Sequence, residues 1–175
     1  STASVYRLGD WPAPFGIVLV LDRLSALMVT LASTLALAAL VFSLARWEQA
    51  GPRFHALFLL LLAGLNGAFL TGDLFNLFVF FEVLLAASYG LVLHGSGIPR
   101  VKAGLHYIAV NLGASSLFLL GVTVIYGIAG TLNMADLAER IPQLDADKRV
   151  LFEIGCAVLS VAFLIKAGAW PLGFW

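Results

Sequence analysis

Two ionisable residues stand where the surrounding residue types argue against any charge. Glu82 lies in GDLFNLFVFFEVLLAASYGLVLHG (Gly72 to Gly95), and Lys166 lies in VAFLIKAGAWPLGFW, five residues before Pro171. Counted from Leu74, Glu82 sits roughly 12 Å into its apolar run at 1.5 Å per helical residue. An acid or a lysine at that depth costs about 2.5–3.5 kcal/mol to insert, so such groups face the protein interior and find partners or water. If Glu82 and Lys166 meet, their attraction at about 4 Å is on the order of 4 kcal/mol at an effective dielectric near 20, comparable with the cost of inserting one of them. Burial favours the neutral forms of both groups and pairing favours the charged forms. A conformational or charge event that separates the pair would therefore make Lys166 release a proton and Glu82 take one up. A permanently protonated structural acid and a lysine snorkelling from a helix end are the other roles open to these residues.

Further polar side chains could carry a proton route to the pair. Asn111 and Ser115 share a helical face at i, i+4, and Asn66, Ser116 and Thr123 are also embedded in apolar sequence; each could equally serve as an interhelical hydrogen bond. His55, His94 and His106 fall at the ends of apolar runs, all on the same predicted membrane face. Imidazole titrates near neutral pH, so His94 and His106 are candidate relay members, with interfacial anchoring as the alternative. Pro171 lacks a backbone donor and clashes with the carbonyl four residues earlier, so it predicts a helix break just after Lys166. No phosphate-binding loop, nucleophile triad, haem ligand set or metal-spaced Cys/His cluster is present, so no cofactor, metal or covalent enzyme chemistry is expected. The lone Cys156 excludes an intramolecular disulfide and reads as packing.

These residues must be positioned by membrane helices. Of 175 residues, 61% are hydrophobic and 11% charged, against about 45–50% and about 25% in soluble domains. Ten basic residues balance ten acidic ones, which leaves no nucleic-acid footprint. Five apolar runs, residues 24–45, 54–71, 74–93, 105–128 and 150–169, approach the length of about 20 residues that spans a hydrocarbon core. None alternates polar and apolar residues as a barrel strand would. The predicted fold is all-α, a polytopic transmembrane bundle of five helices, the last broken near Pro171.

Residues 1–23 read as an extracytoplasmic lead-in, extended or hairpin-like, because Pro12 and Pro14 forbid a regular helix there. Asp22 and Arg23 read as a helix-start cap with a counter-charge. Residues 132–141 carry a cap at Asn133 and Asp136, with Met134, Leu137, Ala138 and Ile141 at helical spacing. That pattern predicts an interfacial helix stopped by Pro142, or else an irregular loop. Arg46, Arg53, Arg100 and Lys102 flank two of the loops and only Asp73 occupies the turn at 72–73, so the two basic loops are expected to face the cytoplasm. The sequence lacks an initiator Met and a signal-type start, and stops in apolar residues. It reads as a fragment of a longer chain.

FGIVLVLDRLSALM, GDLFNLFVFFEVLLAASYGLV, YGIAGTLNMADL and FLIKAGAWPLGFW resemble the antiporter-like membrane subunits shared by Mrp-type Na+/H+ antiporters and respiratory complex I. The resemblance implies about fourteen transmembrane helices built as two inverted five-helix repeats, each with a broken helix near its ion path. By motif, Glu82 corresponds to the family's key intramembrane glutamate and Lys166 to its lysine just before the break. Complex I relatives often have KAGxxPLHxWLP and LKY, where this sequence has Gly173 in place of the His and Leu105-His106-Tyr107. Both departures lean towards the D-type subunit of the Mrp branch. The resemblance implies a non-enzymatic Na+ or K+/H+ antiport function in a bacterial inner membrane, with lipid and the other Mrp subunits as partners. The alternative it implies is a proton-pumping subunit of complex I or a membrane-bound hydrogenase.

Overall fold

The computed structural model describes residues 3–46, 49, 51, 53–95, 97–173 and 175; the first two residues of the expected lead-in lie outside them. Among the described residues the fold is all-α apart from a hairpin and the backbone bridges beside it. Strands β1 (Ser4–Arg7) and β2 (Val18–Leu21) pair antiparallel, with Ser4 opposite Leu21 and Arg7 opposite Val18. Pro12 and Pro14 fall in the connection, where their missing amides leave no ladder bond unmade. Asp22 then ends the strand and starts α1 (Arg23–Ser43), its Oδ1 accepting the Ser25 amide at 2.7 Å.

Four more long or medium helices follow: α2 (Phe54–Leu70), α3 (Leu74–Val92), α4 (Ile98–Ala129) and, after the short α5 (Met134–Arg140), α6 (Ala146–Lys166). Among the described residues, α1, α3 and α4 are long and apolar enough to cross a membrane; α2 is apolar and 17 residues long. The first turns of α6 carry Asp147, Lys148, Arg149 and Glu153, so its uncharged apolar part begins only at Ile154.

Helix α4 starts seven residues before the expected 105. Gly97, at φ +119°, turns the chain, and Pro99 fits the first helical turn, where its missing amide costs nothing. Arg100 lies within that turn and its Nη1 donates to the His94 carbonyl, capping the end of α3. Pro99 and the charged Arg100 and Lys102 hid this start from a reading of apolar length.

Close approach between helices sets the two tightest pairs. Gly64 of α2 leaves room for the Leu84 backbone of α3, where an added Cβ would come within 2.7 Å of the Leu84 nitrogen. Gly121 of α4 meets α6 in the same way, 2.9 Å from the Leu159 nitrogen. Thus α2 packs on α3 and α4 on α6, while α3 meets α4 over a smaller area. The core, Phe118, Val122, Ile125, Ala129, Leu137, Leu159 and Ala162, joins α4, α5 and α6, with Leu77, Phe78 and Phe81 of α3 against it.

Three extended segments lie side by side at one end of the bundle. Gly72 N–H donates to the Val18 carbonyl at 2.8 Å, Leu74 N–H to Leu132 at 2.9 Å, and Met134 N–H to Gly72 at 2.9 Å. Backbone bridges pair Leu19 with Thr71 and Asp73 with Asn133. This seam holds together the starts of α1, α3 and α5 and the segment that leaves α4. The glycine contacts run α6 antiparallel to α4, so α1, α3 and α6 share one direction and α2 and α4 the other.

Helix α5 starts as the Asn133 signal predicts, the Asn133 Oδ1 accepting the Ala135 and Asp136 amides at 3.1 Å. Its apolar face differs from a purely lipid-facing one: Leu137 is buried in the main core and Ile141 packs beside it. Arg140 locks the helix down, its Nε donating to Asp136 at 2.9 Å and its Nη1 to the Ala129 carbonyl at 3.1 Å. The Arg140 guanidinium, and next the Thr131 hydroxyl, hold the Asp136 carboxyl below the usual carboxylate range.

Candidate functional site

The position of Glu82 follows from the way α3 packs. Phe80 and Leu84 meet the glycines of α2. Glu82 lies two residues from each, about 200° round the helix at 3.6 residues per turn, so it points away from α2 and towards α4. There it meets Ser115, a buried residue about halfway along α4.

Ser115 Oγ donates to Glu82 Oε1 at 2.5 Å and accepts from Lys166 Nζ at 3.1 Å. The acid and the base selected from the sequence are therefore joined through a hydroxyl, and do not form one of the direct ion pairs seen among the described residues. Lys166 is the last residue of α6. Helical side chains tilt back towards the helix start, which carries its ammonium over the preceding turn to the level of Ser115. Its Nζ also sits 5.6 Å from the centre of the Phe81 ring, whose face attracts a cation.

The surroundings of this three-residue chain are unequal on its two sides. Towards the seam, Phe81, Phe118 and Phe163 pack edge to face, with ring centres 5.4–6.2 Å apart, and Phe118 is fully buried. Phe78 adds a fourth ring at 5.8 Å from Phe118. Towards the other end the lining is polar. Tyr107, Asn111 and Ser115 form one stripe at i, i+4, i+8, and Asn111, 2% exposed, donates to the Tyr107 carbonyl at 2.9 Å. The Tyr107 hydroxyl lies 3.0 Å from Ser88 Oγ. Since the single Ser88 proton goes to the Leu85 carbonyl at 2.8 Å, Tyr107 is the donor in that bond. Tyr89, edge-on to Tyr107 at 5.6 Å, has a buried hydroxyl seven residues along α3 from Glu82.

Other residues singled out by the sequence lie elsewhere. His94 is buried just beyond α3, its ring 5.3 Å from Phe54, and His106 is exposed on α4, roughly 13 Å along the axis from Ser115. Both lie on the polar side of the site and outside the three-residue chain, and the His94 carbonyl accepts from Arg100. Ser116 and Thr123 are exposed and donate to carbonyls of their own helix, Leu112 at 3.0 Å and Leu119 at 2.7 Å. Asn66 is on the side of α2 turned from Gly64 and so from α3.

The end of α6 falls near Pro171 but is made by Gly168. The helix stops at Lys166, Ala167 caps it, and Gly168 takes φ +63°, the left-handed conformation that ends helices. Pro171 lies in the following turn and blocks resumption. Trp175 then returns to the helix end, its Nε1 donating to the Ile165 carbonyl at 2.8 Å and its ring 5.4 Å from Tyr107. Sequence reasoning passed over Tyr107, Ser88 and Trp175. The i, i+4, i+8 phase of Tyr107 with Asn111 and Ser115 was the available signal. Among the described residues no group of three or more His, Cys, Asp or Glu stands where it could hold a metal ion.

Residues 71–175 match the family described as NADH:quinone oxidoreductase/Mrp antiporter, TM. The chain is 72% identical over 173 residues to the D subunit of a probable K(+)/H(+) antiporter of Rhizobium meliloti (strain 1021), covering 99% of this chain and 32% of that protein. It is 45% identical over 174 residues to the D subunit of a Na(+)/H(+) antiporter of Alkalihalophilus pseudofirmus, covering 98% and 35%. Among solved structures, it resembles the Mrp complex from Dietzia sp. DQ12-45-1b with a TM-score of 0.85 and 41% identity, over 98% of this chain and 32% of that one. The chain thus spans about a third of the length of the curated relatives it matches.

Proposed function

The chain belongs to the family of NADH:quinone oxidoreductase and Mrp antiporter transmembrane subunits, and from that premise we propose that it forms the proton-conducting part of a D-type subunit in a multi-subunit monovalent cation/H+ antiporter. The observation that carries the reading is the hydrogen-bonded chain Lys166–Ser115–Glu82, held between two tightly packed helix pairs. The exchanged cation is Na+ or K+; the relatives are named for both. The protein works as a secondary transporter and not as an enzyme, in a bacterial inner membrane, with lipid and the other antiporter subunits as partners.

The chain can move a proton without moving a heavy atom far. In one direction Lys166 gives a proton to Ser115 Oγ as Ser115 gives its own to Glu82; an ammonium and a carboxylate become an amine and a carboxylic acid. The reverse step restores the charges. Burial favours the neutral pair and mutual attraction the charged one, so a cation arriving on the far side of Lys166 drives the shift towards the neutral pair. Glu82 then returns its proton on the polar side, past Asn111 and Tyr107, because the phenyl cluster closes the opposite side to water. With the basic loops taken as cytoplasmic, this half-channel opens to the cytoplasm, where His94 and His106 stand. Residues 1–23 then lie outside, and residues 132–141 lie at the outer surface.

Everted vesicles carrying the complete complex test the proposal. Glu82→Gln and Lys166→Ala are each expected to abolish cation/H+ exchange while the subunits still assemble. Full exchange in the Glu82 variant would remove that residue from the mechanism. An unaffected Lys166 variant would leave the lysine as a snorkelling side chain, and loss of assembly alone would mark the chain as scaffold.

The family also contains oxidoreductase subunits, so the same three residues would serve a redox-driven proton pump, in complex I or a membrane-bound hydrogenase. Neighbouring genes separate the two: small antiporter subunits favour the first reading, quinone-reductase or hydrogenase subunits the second.

A further inference from the structure

Beyond the helix break, one aromatic residue touches both of the elements whose separation would break the chain. The Trp175 indole N–H donates to the carbonyl of Ile165, the residue before Lys166, at 2.8 Å. The ring of that side chain lies 5.4 Å, centre to centre, from the Tyr107 ring on α4 and tilted by 49° to it, two turns from Ser115 along the same stripe. Tyr107 is itself fixed to α3 through Ser88 at 3.0 Å. The last carbonyls of a helix lack intrahelical partners. Here the Phe163, Leu164 and Ile165 carbonyls receive the amides of Ala167, Ala169 and Gly168, and Ile165 receives the indole as well. The Ile165 carbonyl therefore has a donor that comes from the far side of the break and is seated on α4.

We propose that Trp175 is a positioning residue for Lys166: it pins the end of α6 to α4, so that the ammonium one residue away stays against Ser115. The inference rests on the reading of Lys166–Ser115–Glu82 as the proton path. Lys166 is the final helical residue, and the Ala167, Gly168 and Ala169 amides tie its backbone only to its own last turn. The Trp175 donor on the Ile165 carbonyl and its ring on Tyr107 tie that turn to α4. An interfacial tryptophan acting only as a lipid anchor would need neither contact.

The test uses the complete antiporter complex in lipid nanodiscs and everted vesicles. Hydrogen exchange of the amides at 164–169 reads the pin directly, and the pH profile of cation/H+ exchange reads its effect on Lys166. Trp175→Leu, which removes ring and donor, is expected to speed amide exchange at 164–169 and to lower transport about tenfold with a displaced pH profile, as for loss of a hydrogen bond together with an aromatic contact. Trp175→Phe keeps the ring on Tyr107 and is expected to fall between the two, which also guards against a Leu variant that misfolds. Unchanged amide exchange in both variants overturns the pin. Faster exchange with wild-type transport and pH profile overturns its role in holding Lys166. Transport by Glu82→Gln and Lys166→Ala checks the underlying path separately: full activity there removes the path, whereas unchanged amides in the Trp175 variants remove the pin even when those two are inactive.

Discussion

The hydroxyl of Ser115 makes two hydrogen bonds of opposite polarity, donating to a carboxylate and accepting from an ammonium. A hydroxyl does both through one atom and still has a proton to pass on. Hydrogen bonds to charged groups are worth about 1.5–3 kcal/mol. Ser115→Ala should therefore lower cation/H+ exchange by about ten- to a hundredfold, and Ser115→Thr, which keeps the hydroxyl, should retain much of it. Initial rates in vesicles of equal antiporter content measure both; wild-type exchange in the Ala variant would sink the bridge. Glu82 and Lys166 were legible in the sequence because a charge inside an apolar run is costly. The serine was legible only as one polar residue among several. A hydroxyl can satisfy itself on its own helix, as Ser116 and Thr123 do, and residue type alone does not say which one reaches across. Only the phase shared with Tyr107 and Asn111 separates Ser115 from Ser116.

Helix positions followed from apolar length, but helix partners did not. The runs at 54–71 and 74–93 closely match α2 and α3, whereas α4 begins well before its apolar stretch because glycine, proline and arginine set its start. Small residues signal close approach without saying to which neighbour. On α3, Ala87 is buried and Gly90 meets Leu57 of α2, while Ala86, between them and Glu82, is exposed. Gly64 holds α2 against α3, so Gly64→Val should force the helices apart, costing about 1–3 kcal/mol and lowering the thermal unfolding midpoint of the complex in detergent. Gly113→Ala and Gly127→Ala on α4, where an added Cβ meets nothing within 4 Å, should leave it unchanged. Equal midpoints for Gly64→Val and these controls would refute the close-packing argument.

At the scale of the whole molecule, the seam and the α5 clamp tie one end of the bundle together. The Asp136 carboxyl is held below its usual range by Arg140, so its contribution is complete above the ordinary carboxylate value and is lost as pH falls through the lowered one. Hydrogen exchange of the α5 amides should be pH-independent, after correction for intrinsic rates, down to about pH 5 and accelerate below it; Asp136→Asn should show the faster rate throughout. Protection that persists in the Asn variant would dissociate α5 from that clamp. The seam itself was invisible in the sequence. Its three extended segments are short and distant along the chain, and their pairing is made by backbone atoms that carry no residue signature.

An anchored end makes α4 a lever. Ser115 stands 14 residues from Ala129, a lever arm of roughly 21 Å. A tilt of about 5° at the seam would carry the serine by nearly 2 Å, against a hydrogen-bond range only about 0.5 Å wide. The same tilt would move the seam's own bonds by a small fraction of that. The bundle thus has an anchored end and an angle-sensitive contact in its middle, and a few degrees of rocking would be enough to make or break the hydrogen bonds of Ser115.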